Sequence, residues 1–318
     1  MGPVGVILRG LFYRQRDEPE ACASHPPRIE LRFGAGVVVG FGETMHLFAL
    51  IAVTMCAFAA NSVLARAGVF AFDMEPLLFA GVRLASGAGM LAVLVSLRGG
   101  WGPVDRERVI TSGTLLLYLV PFSIAYLTLP AGLGALILFG VVQITMFGGS
   151  YMAGTQPSTR QWAGMAVAMA GLGWLLWPTE RMTLDAIGVV FMVVSGFGWG
   201  VFSMRGRGSK DPLGDMALSF VLCAPVALVL VLIGGGWSLG GVACAVVSGA
   251  ISSGLGYALW YRVLPQVAAT TSAVAQLSVP VIAIVAGAVL LHEIITLDVV
   301  LASAVVLGGI AVSVLKRA

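Results

Sequence analysis

Charged residues are scarce in this chain of 318 residues: Asp, Glu, Lys and Arg make up 10% of it, and hydrophobic residues make up 58%. A soluble domain carries about 25% charged residues, because its surface has to face water. A surface this poor in charge is expected to face lipid, where every backbone polar group must be satisfied within a helix or a closed barrel. The composition therefore excludes an ordinary soluble globular protein.

Motifs for energy coupling, catalysis and metal binding are lacking as well. Neither GxxxxGKS nor GxxxxGKT occurs, so the chain is not itself an ATPase subunit. The three histidines are scattered and no acidic cluster accompanies them, so we expect neither a metal site nor a cofactor. The four cysteines form no CxxC pair, and the basic residues are not interleaved with aromatics, which argues against reactive thiols and nucleic-acid binding. No reactive groups lie together at depth, so we do not expect an enzyme.

What the chain does contain is ten apolar stretches of helix length. About 20 apolar helical residues span the hydrocarbon core of a bilayer, and continuous apolarity without period-two alternation favours helices over a barrel. We therefore predict an all-α membrane protein with ten transmembrane helices. The predicted spans are His46–Ala65, Leu77–Leu97, Val109–Leu127, Ala131–Met152, Trp162–Trp177, Ala186–Met204, Met216–Leu232, Val242–Tyr261, Ala268–Leu291 and Val299–Leu315.

The segment before the first span differs from the rest of the chain. Residues 1–44 mix both signs of charge and lack the basic, apolar and small-residue order of a cleavable signal. We expect them to form a disordered tail, to which we assign no function. Translation that starts at Met45 instead of Met1 is an alternative.

The distribution of Lys and Arg predicts the orientation in the membrane. If the N-terminus is cytoplasmic and the chain changes sides at each span, ten basic residues beyond the tail lie inside and two, Arg66 and Arg181, lie outside. Cytoplasmic loops carry an excess of Lys and Arg. We therefore expect both termini in the cytoplasm.

The two halves of the chain repeat one pattern. A shift of 137 residues brings the fourth and fifth spans onto the ninth and tenth, with Ala131 on Ala268, and a slightly different shift places Asn61 near Gly200. Each half, residues 45–178 and 179–318, would hold five helices, so the second half must insert upside down. Inverted repeats of this kind are typical of secondary transporters, whose substrate site lies at mid-membrane between the halves. A duplicated scaffold or sensor is the alternative.

Several short segments in both halves form a recognisable set. They are FAAN ending at Asn61, RLA from Arg83, QPSTRQW from Gln156, GYALWYRVLP from Gly256, AVAQLSVP from Ala273 and LLHE ending at Glu293. Together they resemble EamA-type proteins of the drug/metabolite transporter superfamily, over roughly Met45 to Arg317. The resemblance implies a ten-helix, five-plus-five permease, usually of a bacterial inner membrane, that commonly exports amino acids, related metabolites or toxic compounds.

The chain departs from the family pattern at two positions. Glu293 matches the family's glutamate after helix nine, but its first-half counterpart, often also a glutamate, is Gln156 here. The proline that usually lies in helix four is absent, since Gln143 aligns with Pro280. A mechanism that needs a symmetric pair of carboxylates or kinks is therefore not expected.

Arg83 is the sole charged residue within the predicted spans. Placing a cation inside a membrane costs roughly 2.5–3.5 kcal/mol on insertion scales. One interpretation is that it attracts a carboxylate-bearing substrate into a cavity. The other is that it snorkels toward the outer surface and pairs with Asp73 or Glu75.

Other polar and aromatic residues are further candidates for substrate binding. In the repeat register Gln143 corresponds to Pro280, which shares a helix face with Gln276. Both amides could therefore face a central cavity, where an amide both donates and accepts; interhelical hydrogen bonding is the alternative. Asn61 either lines the entrance or bonds a neighbouring helix. Tyr257 and Tyr261, one turn apart, either wall a cavity or anchor at the interface.

Acidic residues are absent from the spans, and Glu293 only borders one. Proton-driven pumps tend to carry an intramembrane carboxylate, so uniport or exchange fits more easily. Glu293 is nevertheless a candidate for proton coupling, with capping of the helix end as the alternative.

These observations together predict a secondary transporter of the inner membrane that exports a small polar metabolite, such as an amino acid, by alternating access. An exporter of hydrophobic or cationic drugs, or a non-transporting scaffold or sensor, is the alternative. The expected partners are a small-molecule substrate and the lipid bilayer, with a homodimer left open.

Overall fold

Helices make up nearly all of the protein in the computed structural model, which describes residues 30–33, 37–154, 156–176, 185–206, 209–267 and 269–314. The predicted all-α class is confirmed for this part of the chain. The helices are α1 Phe41–Arg66, α2 Pro76–Arg98, α3 Arg106–Ala125, α4 Ala131–Met152, α5 Thr159–Leu176, α6 Ala186–Gly206, α7 Pro212–Leu222, α8 Ala224–Ile233, α9 Leu239–Val247, α10 Gly256–Val263, α11 Ala269–Gln276, α12 Ser278–Leu291 and α13 Leu297–Val314.

Three segments with other helical geometries continue these helices. A π-helical turn at Ala67–Ala71 extends α1, a longer π-helical segment at Ser248–Leu255 joins α9 to α10, and a 3-10 turn at Leu264–Gln266 follows α10. In a π-helix the backbone bond runs from residue i to i+5, so the side chains that share a face differ from those of an α-helix. The π-helical geometry at Ser248–Leu255 therefore changes which of its side chains lie together.

A short antiparallel hairpin precedes α1. Strand β1 Glu30–Phe33 pairs with β2 Val37–Gly40, with Glu30 opposite Gly40, and the valines of β2 suit a strand. These strands and the first four residues of α1 lie in the segment for which we predicted disorder, so disorder does not describe residues 30–33 and 37–44. Residues 1–29 of the predicted tail lie outside the described residues.

Seven segments in the described part of the chain are long and apolar enough to cross a membrane. The helices α7 and α8, bent by 41° at Cys223, make an eighth if they count as one span. The protein is therefore a multi-pass membrane protein. The seven are Met45–Ala71, Pro76–Arg98, Arg106–Ala125, Ala131–Met152, Ala186–Gly206, Leu239–Gln266 and Val274–Leu291.

The predicted fifth and tenth spans correspond to α5 and α13, which do not reach that criterion. The 18 residues of α5 include Arg160 and Gln161 in the first turn, and the apolar part of α13 covers only Leu297–Ser313. The ten-span count and the division into two halves therefore stay predictions. The two helices pack closely: a Cβ on Gly164 would lie 2.4 Å from the Ser313 nitrogen, and such small residues let helices approach in lipid.

Candidate functional site

Arg83 lies in α2 and is completely buried. Its Nε donates a hydrogen bond to Ser253 Oγ at 3.1 Å. Its Nη2 donates to the hydroxyl oxygens of Tyr118 at 3.1 Å and Tyr257 at 3.0 Å. The side chain therefore points into the protein and does not snorkel, while Glu75, its suggested partner, accepts the backbone N–H of Leu78 instead.

Asn61 extends this arrangement from α1. Its Oδ1 accepts hydrogen bonds from Ser248 Oγ at 2.8 Å and Ser253 Oγ at 3.1 Å, and its Nδ2 donates to the Tyr257 hydroxyl at 3.4 Å. Both serines reach one oxygen because they are five residues apart in the π-helical segment, where positions i and i+5 lie on one face. The sequence analysis missed these serines, since an α-helical pattern would separate them.

The hydroxyls of Tyr118 and Tyr257 lie 2.8 Å apart, which completes what we call the Arg83 network. Asn61, Arg83 and Tyr257 were predicted as site residues, and the structure brings them together. Tyr118 was not predicted. Tyr118 lies in α3 opposite Arg83 in α2, but only the packing of the two helices reveals this. The network consists of Asn61, Arg83, Tyr118, Ser248, Ser253 and Tyr257.

The charge of Arg83 has no counter-ion in the described part of the chain: its ligands are neutral hydroxyls, and no carboxylate among the described residues lies within ion-pair distance. Its guanidinium carbon lies 4.7 Å from the ring centre of Phe122 and 5.6 Å from that of Tyr118. Its Nη1 is buried without a hydrogen-bond partner among those residues. A buried cation is costly unless it is paired, and Arg83 has hydroxyls and aromatic rings around it where a carboxylate would usually lie.

A small central cavity lies beside the network. Its volume is about 10 Å³, room for about one water molecule. Trp199 and Tyr257 close it with ring centres 4.6 Å apart, and Phe58 packs edge-on against Trp199 at 5.5 Å. An amino acid would fit only after these rings move apart. The lining residues are Phe58, Asn61, Tyr118, Phe122, Leu138, Phe139, Trp199 and Tyr257.

Gln143 and Gln276 are not among the residues that line this cavity. Both are buried, with exposed fractions of 5% and 1%. The Nε2 of Gln143 and the Oε1 of Gln276 have no hydrogen-bond partner among the described residues. Each amide thus retains one unused polar atom, and its role in substrate binding stays a prediction.

Tyr261 lies at the edge of a second, larger cavity of about 360 Å³, which we call the polar vestibule. Its hydroxyl donates to the Phe202 carbonyl at 3.3 Å. The Phe202 ring lies 5.6 Å from both Tyr261 and Trp199, so a layer of rings separates the vestibule from the central cavity. The vestibule is lined by Asp105, Glu107, Arg108, Thr111, Arg205, Gly206, Ser209, Asp215, Ser219 and Tyr261.

The vestibule and Glu293 lie at opposite ends of the helix bundle. Helix α6 starts beside Asp185, which binds the Thr128 hydroxyl near the start of α4. It ends at Gly206 on the vestibule, and its 21 residues span about 30 Å at 1.5 Å per residue. Glu293 binds the N–H of Ala131, the first residue of α4, so it belongs to the Asp185 end. It is not part of the Arg83 network.

In the described part of the chain, three arginine–carboxylate pairs lie at the vestibule end. Arg98 pairs with Asp211, Arg108 with Asp215 at 2.7 Å and Arg205 with Glu107 at 2.5 Å. Partial burial by itself would raise the pKa of Asp211, but the hydrogen bonds from Arg98 and from the Gly214 N–H hold that pKa below its usual value. Among the described residues, no three His, Cys, Asp or Glu side chains are grouped to hold a metal ion.

These features define a polytopic helical membrane protein with a buried polar site in its interior. Residues 186–315, most of the predicted second half, match the EamA-like transporter family. The chain belongs to this family, which is part of the drug/metabolite transporter superfamily and groups it with transporters rather than enzymes.

Two relatives and one solved structure are similar over most of the chain. The uncharacterized protein PA1977 of Pseudomonas aeruginosa is 40% identical over 271 residues, 84% of this chain and 94% of the relative. The uncharacterized transporter YoaV of Bacillus subtilis is 24% identical over 75% of this chain and 87% of its own. A crystal structure of a protein with 18% identity has a TM-score of 0.61, over 84% of this chain and 96% of that one, and so shares the fold.

Proposed function

We propose that this protein is a secondary transporter of the bacterial inner membrane that exports a small polar metabolite bearing a carboxylate, such as an amino acid, by alternating access. The observation that carries the proposal is Arg83: a fully buried cation with no carboxylate partner among the described residues and an unused N–H at Nη1. A substrate carboxylate would supply the missing counter-ion, and the charge-assisted hydrogen bond is stronger than a neutral one.

The neutral members of the network suit the same ligand. The Tyr118 and Tyr257 hydroxyls and the Asn61 amide can donate or accept, so they can rearrange around a carboxylate without leaving Arg83 unsolvated. The central cavity must widen for this, and its walls are ring contacts and not ion pairs. An opening of that kind is the rearrangement that alternating access requires.

Helix packing supports the five-plus-five arrangement behind this mechanism. Helix α3 packs on α6, and α1 packs on the segment from α9 to α10; in the predicted numbering these are spans three with six and one with eight. Exchanging the two halves, so that span three becomes span eight and span six becomes span one, turns one pair into the other. Helices α2 and α8, α4 and α12, and α5 and α13 also pack together, and each of these pairs maps onto itself. This is the pattern that a two-fold inverted repeat produces.

The predicted orientation defines the path of the proposed export. The vestibule, with Arg108 and Arg205 on its walls, belongs to the end that the distribution of basic residues assigns to the cytoplasm. A substrate would enter there and leave at the Glu293 end. We keep proton coupling through Glu293 and a homodimer as parts of the proposal that need their own tests.

Efflux from proteoliposomes tests the substrate class. Vesicles are loaded with a mixed pool of amino acids and related carboxylates, and released compounds are identified by mass spectrometry with and without a proton gradient. We expect saturable release of a carboxylate, lowered at least about 30-fold by Arg83→Gln because a buried partner of the anion is lost. Arg83→Lys should recover part of the rate, since it keeps the charge but not the planar fork.

Arg160→Gln is the matched control, because it removes the same charge from the start of α5, away from the network. Carboxylate release that is equal in Arg83→Gln and Arg160→Gln would overturn the proposed site. The second candidate function is export of hydrophobic or cationic drugs, which is favoured by the aromatic rings around the central cavity. Release of lipophilic cations from the same vesicles, with no carboxylate released, would replace the first function by the second.

A further inference from the structure

Glu293 holds three separate segments together at its end of the bundle. Both of its carboxylate oxygens accept the backbone N–H of Ala131, at 2.8 and 3.0 Å. Its Oε1 also lies 3.6 Å from Nε of Arg66, near the end of the first span. Arg66 in turn donates from Nη1 to the carbonyl oxygens of Tyr126 and Leu127, each at 3.0 Å. We call Glu293, Arg66 and the Ala131 N–H the Glu293 clamp.

The surroundings of the clamp keep water away from its charges. The side chains of Arg66 and Glu293 are only 11% and 16% exposed, and the ring of Phe70 covers the guanidinium at 3.5 Å. The positive end of the α4 dipole adds to the attraction for the carboxylate. The clamp therefore resembles a closed interior contact more than a surface ion pair.

The backbone before Glu293 is shaped to aim its side chain at α4. His292 has a φ of 55°, a left-handed conformation that a non-glycine residue adopts only when its surroundings enforce it. The Glu293 N–H donates to the Gly287 carbonyl at 3.2 Å. A Cβ on Gly287 would lie 2.4 Å from Glu293 Oε2, so a larger residue at this position would displace the carboxylate from its present place.

At the opposite end of the bundle, the described residues that correspond to Glu293 and Arg66 do not form such a pair. The repeat register places Glu293 at Gln156, and the register that puts Asn61 at Gly200 puts Arg66 at Arg205. Gln156 is exposed and carries no negative charge, and Arg205 pairs with Glu107 instead. The vestibule of about 360 Å³ lies at this end. The bundle is thus closed at the clamp and open at the vestibule.

We propose that the Glu293 clamp is the gate at the outer end of the transport path. Alternating access requires each end to open in turn, and the three segments that the clamp joins cannot separate while it is formed. The absence of a carboxylate at Gln156 leaves the vestibule end without the matching gate, so the resting protein is open at the vestibule. This inference rests on the proposed transport function, but its test does not need a substrate.

The test measures opening directly, by the rate at which a polar maleimide modifies a cysteine beneath the clamp. Ser62 suits this purpose, because it is buried one turn before Arg66 and a change to cysteine is small. Ser62→Cys is made in a background without the four native cysteines, and the protein is placed in lipid nanodiscs so that the reagent reaches both ends. We expect Glu293→Gln and Glu293→Ala to raise the rate about tenfold or more, because they shift the population toward the open state.

Asp298→Asn is the matched control, since it removes the same charge from the first turn of α13 at the same end. It should leave the rate unchanged. A second variant does not touch the clamp: Gln156→Glu supplies the missing carboxylate at the opposite end, and it should raise the Ser62→Cys rate by stabilising closure there.

Two outcomes would overturn the gate: rates in Glu293→Gln that equal those in Asp298→Asn, or a Gln156→Glu rate no higher than that of the parent. The Gln156→Glu variant decides the question even if Glu293→Ala does not fold. Because no substrate is present, a raised rate without carboxylate efflux would leave the gate standing and remove only the proposed substrate.

Discussion

The two ends of the bundle use the same chemistry in different ways. Among the described residues, one end has a single arginine–carboxylate pair, Arg66 with Glu293, which is mostly buried and tied to a helix N-terminus and two carbonyl groups. The other end has three such pairs. Two of them, Arg108 with Asp215 and Arg205 with Glu107, line a cavity of about 360 Å³, and Glu107 is 74% exposed.

The difference shows that the number of ion pairs does not decide which end is closed. Exposed pairs contribute about 0–1 kcal/mol each, because water competes for both charges. A buried pair is different: removing one partner leaves the other desolvated and unpaired. The buried pair at Glu293 is therefore expected to hold its end more firmly than the exposed Arg205–Glu107 pair holds the other.

The largest expected effect is on stability, and it tests this comparison directly. Glu293→Ala should destabilise the protein by about 2 kcal/mol, because Arg66 and the Ala131 N–H lose a shared acceptor in a nearly dry site. Glu107→Ala should have little effect, since that pair is solvated. The measurement is the midpoint of thermal unfolding in detergent micelles. Equal midpoints for the two variants would show that the clamp is no stronger than a surface pair.

The second prediction concerns Gly287 and should have a smaller effect. Gly287→Ala leaves every charge in place but puts a methyl group 2.4 Å from Glu293 Oε2, so the carboxylate must move away from Ala131. We expect faster modification of Ser62→Cys, by about threefold, because the clamp is weakened and not removed. Gly308→Ala in α13 is the control, since the added carbon meets nothing within 4 Å. A rate equal to that control would mean that the clamp tolerates displacement.

Much of the fold could be predicted from hydropathy. The predicted span Ala131–Met152 coincides with α4, and Leu77–Leu97 differs from α2 by one residue at each end. Hydropathy does not register where a span breaks, because a broken helix is as apolar as a straight one. The bend at Cys223, before Pro225, and the interruption at Leu277 were missed for that reason.

The candidate site was predicted in part. Arg83 and Asn61 stand out because polar groups in an apolar stretch are rare, and the structure joins them. Tyr118 and Ser253 look ordinary in sequence, and they enter the network only through helix packing and the π-helical turn. For Tyr257 and Tyr261 the sequence left two interpretations open, a cavity wall or an interfacial anchor. Tyr257 lines the central cavity, and Tyr261 lines the vestibule, because one helical turn carries it past the Phe202 ring.

The smallest expected effect is a difference between the two ends of the bundle in how their stability depends on pH. Asp185 and Asp211 each accept an N–H at the start of a helix, and both have a lowered pKa. For Asp185 the main cause is the hydrogen bond from Gly188, followed by that from Thr128. For Asp211 partial burial opposes the shift, and Arg98 is the largest cause that lowers the pKa. Of these two carboxyl groups, only Asp211 therefore owes its lowered pKa to a cation.

A carboxylate with a lowered pKa stabilises the folded state fully above its ordinary pKa of about 3.9, and this contribution is lost as the pH falls through the lower, folded-state value. Asparagine can replace aspartate as a helix cap but carries no charge. The unfolding midpoint of Asp211→Asn should therefore lie below that of the parent from pH 7 to about 5, and the gap should close below about pH 4. Asp185→Asn, which loses no ion pair, should show a smaller gap. If the difference in unfolding midpoint between Asp211→Asn and the parent instead widens in acid, Arg98 does not hold Asp211 ionised. The Arg98–Asp211 pair would then contribute less to stability than proposed here.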